Sequence, residues 1–463
     1  MTSVRGLDRA IRLAAALALV GGLLGFGAVA PVAAADGGTF GSPTASATYG
    51  TGVTFEQPFT PAGAIKRVEV LITTPGSIGP LAVEVTAPSC CAETTLRHTL
   101  AETDGHLVPN TRFTARWRVT SSDGTATVGP EASILYADTR FDWKTVSGPV
   151  VRVHWYEGTT DFGKRALAIG EKGIDNAAKL LGVTETDPVD FYIYADQDAF
   201  YNALGPGTRE NVGGEAHADI RTMFALITPD EIDASWVSTV VPHELTHLVF
   251  NTAVKNPYHF PPRWLNEGLA VYLSEGYTDA WRASVANAVR ADGIIPLAGL
   301  AGQFPTTRDQ FFLAYGESVS AVDYLVRKHG SDALVKLVRS YAGGVTDDEA
   351  FQKGIGQDVA AFQADWLADL GTKVPAAVGP QPAPAGPLPA GWAGQPGAAA
   401  ASPGAPPGVP GRSSAPATGS LDTVDLLTTG DPSVVIGALA SAVVILVVAV
   451  ALWRRRRPTR LGS

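Results

Sequence analysis

Two histidines four residues apart with a glutamate between them, His243-Glu-Leu-Thr-His247, are the residues of this sequence best suited to do chemistry. On a helix, positions i and i+4 share a face, so His243 and His247 can direct two imidazoles at one metal ion. Glu244, one position further round, would lie beside that ion rather than on it, where a carboxylate can take a proton from water. A tetrahedral catalytic zinc needs a third protein ligand and an open fourth position. His259 is one candidate, but it follows Asn256-Pro257 in what reads as a loop. Glu267 fits better, because Pro261-Pro262 supplies a helix start and Glu267 then falls in the first two turns of an amphipathic helix running to about Glu275. Nineteen residues separate His247 from Glu267, enough for a turn of chain to carry a second helix back across the first.

The metzincin pattern would need Gly at 250 and His at 253, where this sequence has Phe250 and Ala253. The pair His243-Glu-Leu-Thr-His247 and Trp264-Leu-Asn-Glu-Gly-Leu-Ala-Val-Tyr-Leu-Ser-Glu275 instead resembles the gluzincin metallopeptidases, and more narrowly the bacterial peptidase MA-like domains. Its second half is also similar to the Trp-Leu-Asn-Glu-Gly segment of aminopeptidase N-type enzymes. The resemblance implies His243, His247 and Glu267 as ligands of Zn2+, Glu244 as general base, and a peptide or protein as substrate. Two departures qualify it. The aminopeptidase motif G-x-M-E-N is absent upstream, so exopeptidase activity is not implied. Where thermolysin-like enzymes carry an Asp that orients a ligand histidine, this chain has Val271, so that support is expected from elsewhere, such as a backbone carbonyl.

The elements that would position these residues follow from periodicity. Asp233 to Thr252 carries the two histidines, with Leu245, Leu248 and Val249 to bury it; Pro242 implies a kink or a fresh helix start there. Helical spacing is also predicted for Gly163–Leu181, Asp198–Leu204, Asp279–Arg290, Asp309–His329, Ser331–Tyr341, Asp347–Lys353 and Val359–Leu370. Strands are predicted at Val189–Ala195, residues 213 to 218 and Thr222–Thr228. By the same resemblance, residues 213 to 218 are a candidate ledge for an extended peptide, paired through its backbone. Ala314-Tyr-Gly-Glu-Ser-Val-Ser-Ala-Val-Asp-Tyr-Leu325 looks like the helix that follows the metal site in peptidase MA-like domains. Metallopeptidases need a donor for the tetrahedral oxyanion, and Tyr315 is the candidate.

From about Thr39 to Glu157 the period is two: Val68, Val70 and Ile72 alternate with polar residues, as do Phe113, Ala115, Trp117 and Val119. Turn signals such as Pro75-Gly76 and Asp123-Gly124 separate the runs. The predicted fold class is therefore multidomain, with an N-terminal all-β sandwich of immunoglobulin or fibronectin type over 36–149 and an α+β zincin-like domain, mostly helical in its C-terminal half, over 150–372. Arg5, Arg9 and Arg12 before an apolar run, with Ala33-Ala34-Ala35 behind it, read as a signal peptide over 1–35. The adjacent Cys90 and Cys91 are too close for an unstrained disulfide, and two cysteines make no disulfide framework.

After Lys373 the composition turns to Pro, Ala, Gly and Ser, a linker over 373–432. Val434 to Trp453 is twenty residues without a charge and precedes Arg454-Arg-Arg-Arg457. This reads as one transmembrane helix over 433–453 with a basic cytoplasmic tail over 454–463, leaving the rest extracytoplasmic. Ala415-Pro-Ala-Thr-Gly419 resembles a sortase signal lacking its Leu and is read as coincidence. A net charge of −10 over 463 residues, with few basic clusters away from the ends, argues against nucleic acid as partner. The expected function is a membrane-anchored, extracytoplasmic zinc metallopeptidase. The alternatives are a cell-surface binding protein that keeps the zincin scaffold without catalysis, and metal-dependent hydrolysis of a non-peptide amide.

Overall fold

In the computed structural model, residues 37–88, 92–206, 213–256 and 259–375 are described. The signal peptide, Cys90-Cys91, Ala415–Gly419, the transmembrane helix over 433–453 and the basic tail lie outside them, as does the linker from residue 376. Among the described residues no helix is long and apolar enough to cross a membrane.

Contacts divide the chain into two compact units. Of the described residues, those within 37–167, 188–206 and 217–232 form one, and those within 168–187, 213–216 and 233–375 the other.

The first unit opens with strands β1 (Gly38–Phe40), β2 (Thr44–Thr48), β3 (Gly52–Pro61), β4 (Ile65–Thr73), β5 (Leu81–Val85), β6 (Thr94–Ala101), β7 (Thr111–Ser121), β8 (Ala126–Val128) and β9 (Ala132–Tyr136). The long β3 pairs with β1, β2 and β6, while β4 and β7 join β5, β8 and β9 in a second sheet; every pairing is antiparallel. Alternate residues of both sheets meet in one core: Val53, Phe55 and Phe59 from β3, Val68, Val70 and Ile72 from β4, and Phe113, Ala115, Trp117 and Val119 from β7. Two sheets with one shared apolar interior form a β-sandwich, and the period of two is its direct cause.

The chain continues through β10 (Lys144–Ser147), β11 (Val151–Trp155), α1 (Thr160–Leu181), β12 (Val189–Tyr194), α2 (Gln197–Leu204), β13 (Gly214–His217) and β14 (Thr222–Leu226). β10 is antiparallel to β11, whereas β11, β12 and β14 run parallel in that order. Their near-continuous apolar runs, such as Phe191, Ile193 and Tyr194, are buried, as parallel strands covered on both faces require. Asp190 of β12 ties this sheet to the sandwich. It accepts from Arg152 Nε and Nη2 at 2.8 Å each and from Asn110 Nδ2 at 2.9 Å, and lies 2.9 Å from His154 Nε2.

The second unit is helical: α3 (Ser235–Val254), α4 (Arg263–Ser274), α5 (Asp279–Arg290), α6 (Arg308–His329), α7 (Ser331–Ser340), α8 (Asp347–Ile355) and α9 (Val359–Asp369). α3 is a single helix with Pro242 inside it, so no fresh start occurs at that residue. Its surroundings show how the proline is accommodated. A Cβ on Gly173 of α1 would lie 3.0 Å from the Pro242 Cα, so the missing side chain is what lets α1 cover the proline turn. Unlike a surface helix, α3 buries residues on all sides, among them Trp236, Val240, Val241, Leu245, Leu248 and Phe250. A helix enclosed in this way holds its side chains in fixed rotamers, which a metal site needs.

The Asp190 cluster predicts a pH effect. Burial pushes the Asp190 carboxyl up, but His154, Arg152 and Asn110 outweigh it and bring it from 3.8 down to about 2. A carboxylate with a depressed folded pKa contributes stability that is complete above its unfolded value and is lost as pH falls through the folded one. Denaturant midpoints measured between pH 5 and pH 2 should therefore fall more steeply for the parent than for Asp190→Asn. The difference should be about 1–2 kcal/mol after solvent screening. Parallel pH profiles would show that Asp190 carries no such term.

Candidate metal centre

The metal cluster begins with backbone geometry. One helical turn separates His243 from His247, and both rings lie on the same face of α3, with their Nε2 atoms 3.3 Å apart. α4 crosses that face and brings Glu267 Oε2 to 3.5 Å from each of the two Nε2 atoms. The crossing starts at Pro262, which holds an extended conformation immediately before the helix and whose carbonyl accepts from Leu265 N at 3.0 Å. Among the described residues, His243, His247 and Glu267 are the group of ligating side chains whose donor atoms converge for one ion. His259, the other third-ligand candidate, is elsewhere: its Nε2 lies 3.0 Å from Asp347 Oδ1 and its ring stacks on Tyr341.

The residues fit zinc. Bonds of about 2.0–2.1 Å in a tetrahedron place neighbouring ligand atoms about 3.3 Å apart. The observed triangle has edges of 3.3, 3.5 and 3.5 Å. Two imidazole nitrogens and one carboxylate oxygen occupy three corners, and the fourth is left to a non-protein ligand, the composition of a catalytic rather than a structural site.

Charge states agree with this. Burial pulls the His247 imidazole down to about 4, so it is neutral near pH 7. Its Nδ1 lies 3.0 Å from Asn266 Oδ1, which accepts the ring proton and leaves the Nε2 lone pair turned toward the cluster. This is the orienting group that Val271 could not supply. It is a side chain, and it precedes the third ligand, Glu267, inside Leu265-Asn-Glu-Gly268. For Glu267, burial pushes the carboxyl up, but Arg263 and the two imidazoles hold it below the usual range. The site therefore presents two imidazole nitrogens, that of His247 neutral, and one anionic oxygen.

Glu244, the residue after His243 on α3, is fully buried. Tyr315 of α6 is also fully buried; its ring centroid is 6.4 Å from that of His243, and Phe304 and Phe311 stand edge-on to it at 5.2 and 5.3 Å. Gly268 explains how α6 comes so near. A Cβ there would lie 2.4 Å from the Ser318 carbonyl oxygen, so α4 and α6 can be in contact only because this position has no side chain. Ser318 is one turn from Tyr315 on α6. Replacing Asn266 by Ala should weaken zinc binding about 10–100-fold, measured by chelator competition, with little change in melting temperature. Unchanged affinity would mean that Asn266 does not orient His247.

Comparison with known proteins adds a family match. Residues 169–371 match the model of the Peptidase MA superfamily. Aminopeptidase M1 of Arabidopsis thaliana is 25% identical over 256 residues, which is 50% of this chain and 28% of that protein. The chain therefore spans less than a third of the length of this curated relative. Among solved structures, an M1 zinc metallopeptidase from Deinococcus radiodurans is 14% identical, with 74% of this chain and 95% of that one covered and a TM-score of 0.35. An aminopeptidase N family protein from Idiomarina loihiensis is 11% identical, with 71% and 73% covered and a TM-score of 0.35. The three converging ligands lie within residues 169–371, the stretch that matches the Peptidase MA superfamily, so this stretch is similar to a peptidase MA-like domain with a site that could hold zinc.

Proposed function

We propose that this chain is a zinc-dependent peptidase that hydrolyses peptide bonds with Glu244 as general base. The observation that carries the reading is the buried triangle of His243 Nε2, His247 Nε2 and Glu267 Oε2, with a second buried carboxylate, Glu244, one residue along the same helix. The chemistry a bound zinc supplies is Lewis acidity, which polarises a scissile carbonyl and lowers the pKa of water to about 7. The chain's own groups do the rest. His243, His247 and Glu267 hold the metal, and Asn266 fixes one imidazole. Glu244 takes the proton of the attacking water and returns it to the leaving amine. The Tyr315 hydroxyl donates a hydrogen bond to the oxyanion of the tetrahedral intermediate. The enclosing apolar residues strengthen each of these interactions by excluding water.

Location belongs to the same proposal. Arg5, Arg9 and Arg12 ahead of an apolar run support export, and the uncharged stretch Val434 to Trp453 followed by four arginines supports a single C-terminal membrane anchor with the catalytic domain outside. The family match ends at residue 371, just before the Pro/Ala/Gly-rich stretch, which suits a tether between domain and membrane. A binding protein that merely kept the scaffold would have no need of the base, and the presence of Glu244 with all three ligands favours catalysis.

Glu244→Gln should retain one equivalent of zinc by elemental analysis and cleave a mixed peptide library about 10²–10⁴-fold more slowly. Cleavage at the parent rate would remove Glu244 as the base. Tyr315→Phe should lower kcat about 10²–10³-fold with KM within a few-fold. An unchanged kcat would assign Tyr315 to packing.

A further inference from the structure

Arg263 is the first residue of α4, a position where a cation opposes the helix dipole. Its side chain is 11% exposed, so its charge is largely withdrawn from water. Neither feature favours an arginine for the sake of the helix. What it contacts gives the reason. Arg263 Nε and Nη2 both lie 3.2 Å from Glu267 Oε1, the oxygen turned away from the histidines, while Oε2 faces both imidazoles at 3.5 Å. The guanidinium also packs over the Phe304 ring at 4.7 Å, and Phe304 stands edge-on to Tyr315. Its backbone N–H is fixed to the Ala301 carbonyl at 2.8 Å. The fork is thus held from both ends.

We infer that Arg263 is a positioning residue that keeps Glu267 a one-oxygen ligand. A carboxylate can bind a metal through one oxygen or two. With Oε1 occupied by the guanidinium, Glu267 offers Oε2 alone, and the coordination place that Oε1 would take stays open for water or substrate. The same contact drains negative charge from the ligand and leaves the metal the stronger Lewis acid. The inference rests on the metallopeptidase reading of this site. It also predicts an unusual pattern, because removing Arg263 deletes a positive charge beside a cation: the metal should be held no less tightly while the chemistry suffers.

The test uses the full chain loaded with cobalt or zinc. The parent should give the intense visible absorption of four-coordinate cobalt. In Arg263→Gln this intensity should fall severalfold as Oε1 joins the metal, zinc affinity should stay equal or rise, and peptide cleavage should fall at least tenfold. Arg263→Lys keeps the charge but replaces the planar fork by a single donor, and should lie between the two. If the Gln variant does not fold, the Lys variant decides, since a cobalt spectrum equal to the parent's contradicts the clamp. A Gln variant with the parent's spectrum, or one whose zinc affinity and melting temperature fall together, also overturns it and leaves Arg263 a structural residue. A parent that takes up neither metal overturns the metallopeptidase reading itself, whereas a four-coordinate parent with unchanged variants overturns the clamp alone.

Discussion

The buried negative charge of Glu267 is the constraint on which the helical unit depends. A carboxylate that is 2% exposed and faces two imidazoles cannot be left without a positive partner, because the uncompensated cost in an apolar interior is several kcal/mol or more. Arg263 satisfies one of its oxygens, and a metal ion bound at the site would satisfy the other. The two imidazole Nε2 atoms lie 3.3 Å apart and each 3.5 Å from Glu267 Oε2, so three ligand atoms crowd one point. A single cation answers all three, and the surrounding packing can be read as what holds them close enough for it to do so.

That packing is exacting at two glycines. Gly173 lets α1 lie against the proline turn of α3, and Gly268 lets α4 and α6 come into backbone contact. The first supports the helix that carries both histidines. The second sets the distance between the carboxylate ligand and the helix that carries Tyr315. Because α3 is apolar all round, it is fixed by burial rather than by one amphipathic stripe, and the imidazoles inherit that rigidity. Structure and chemistry are joined here through backbone approach, with the side chains of the site added to an already close-packed frame.

Much of this was legible in the sequence, and the rest was hidden for identifiable reasons. The ligands could be read because i and i+4 on a helix is a local rule, and because Glu267 sat on a helix opened by prolines. The sandwich strands could be read because their period of two is local as well. How Pro242 is accommodated was not legible, since the sequence shows that a proline cannot donate but not that Gly173 will pack against it. The role of Asn266 was not legible: with Val271 in place of an acid the orienting group of His247 was left open, and it came from the residue before Glu267, inside the quoted motif. Arg263 was passed over because a basic residue opening a helix reads as solvated surface, and only the fold shows it turned inward onto Glu267. The way β11, β12 and β14 group with the sandwich depends on contacts between residues far apart in sequence, such as Asn110 with Asp190, which no local pattern reveals.

The central claim is that two imidazoles and one carboxylate oxygen hold a single zinc ion. X-ray absorption at the zinc edge tests it most directly. The account predicts four nitrogen or oxygen neighbours at about 2.0–2.1 Å, with the outer-shell scattering of two imidazole rings. A spectrum with scattering from fewer than two imidazoles, or with six oxygen neighbours as for a loosely held surface ion, would contradict it.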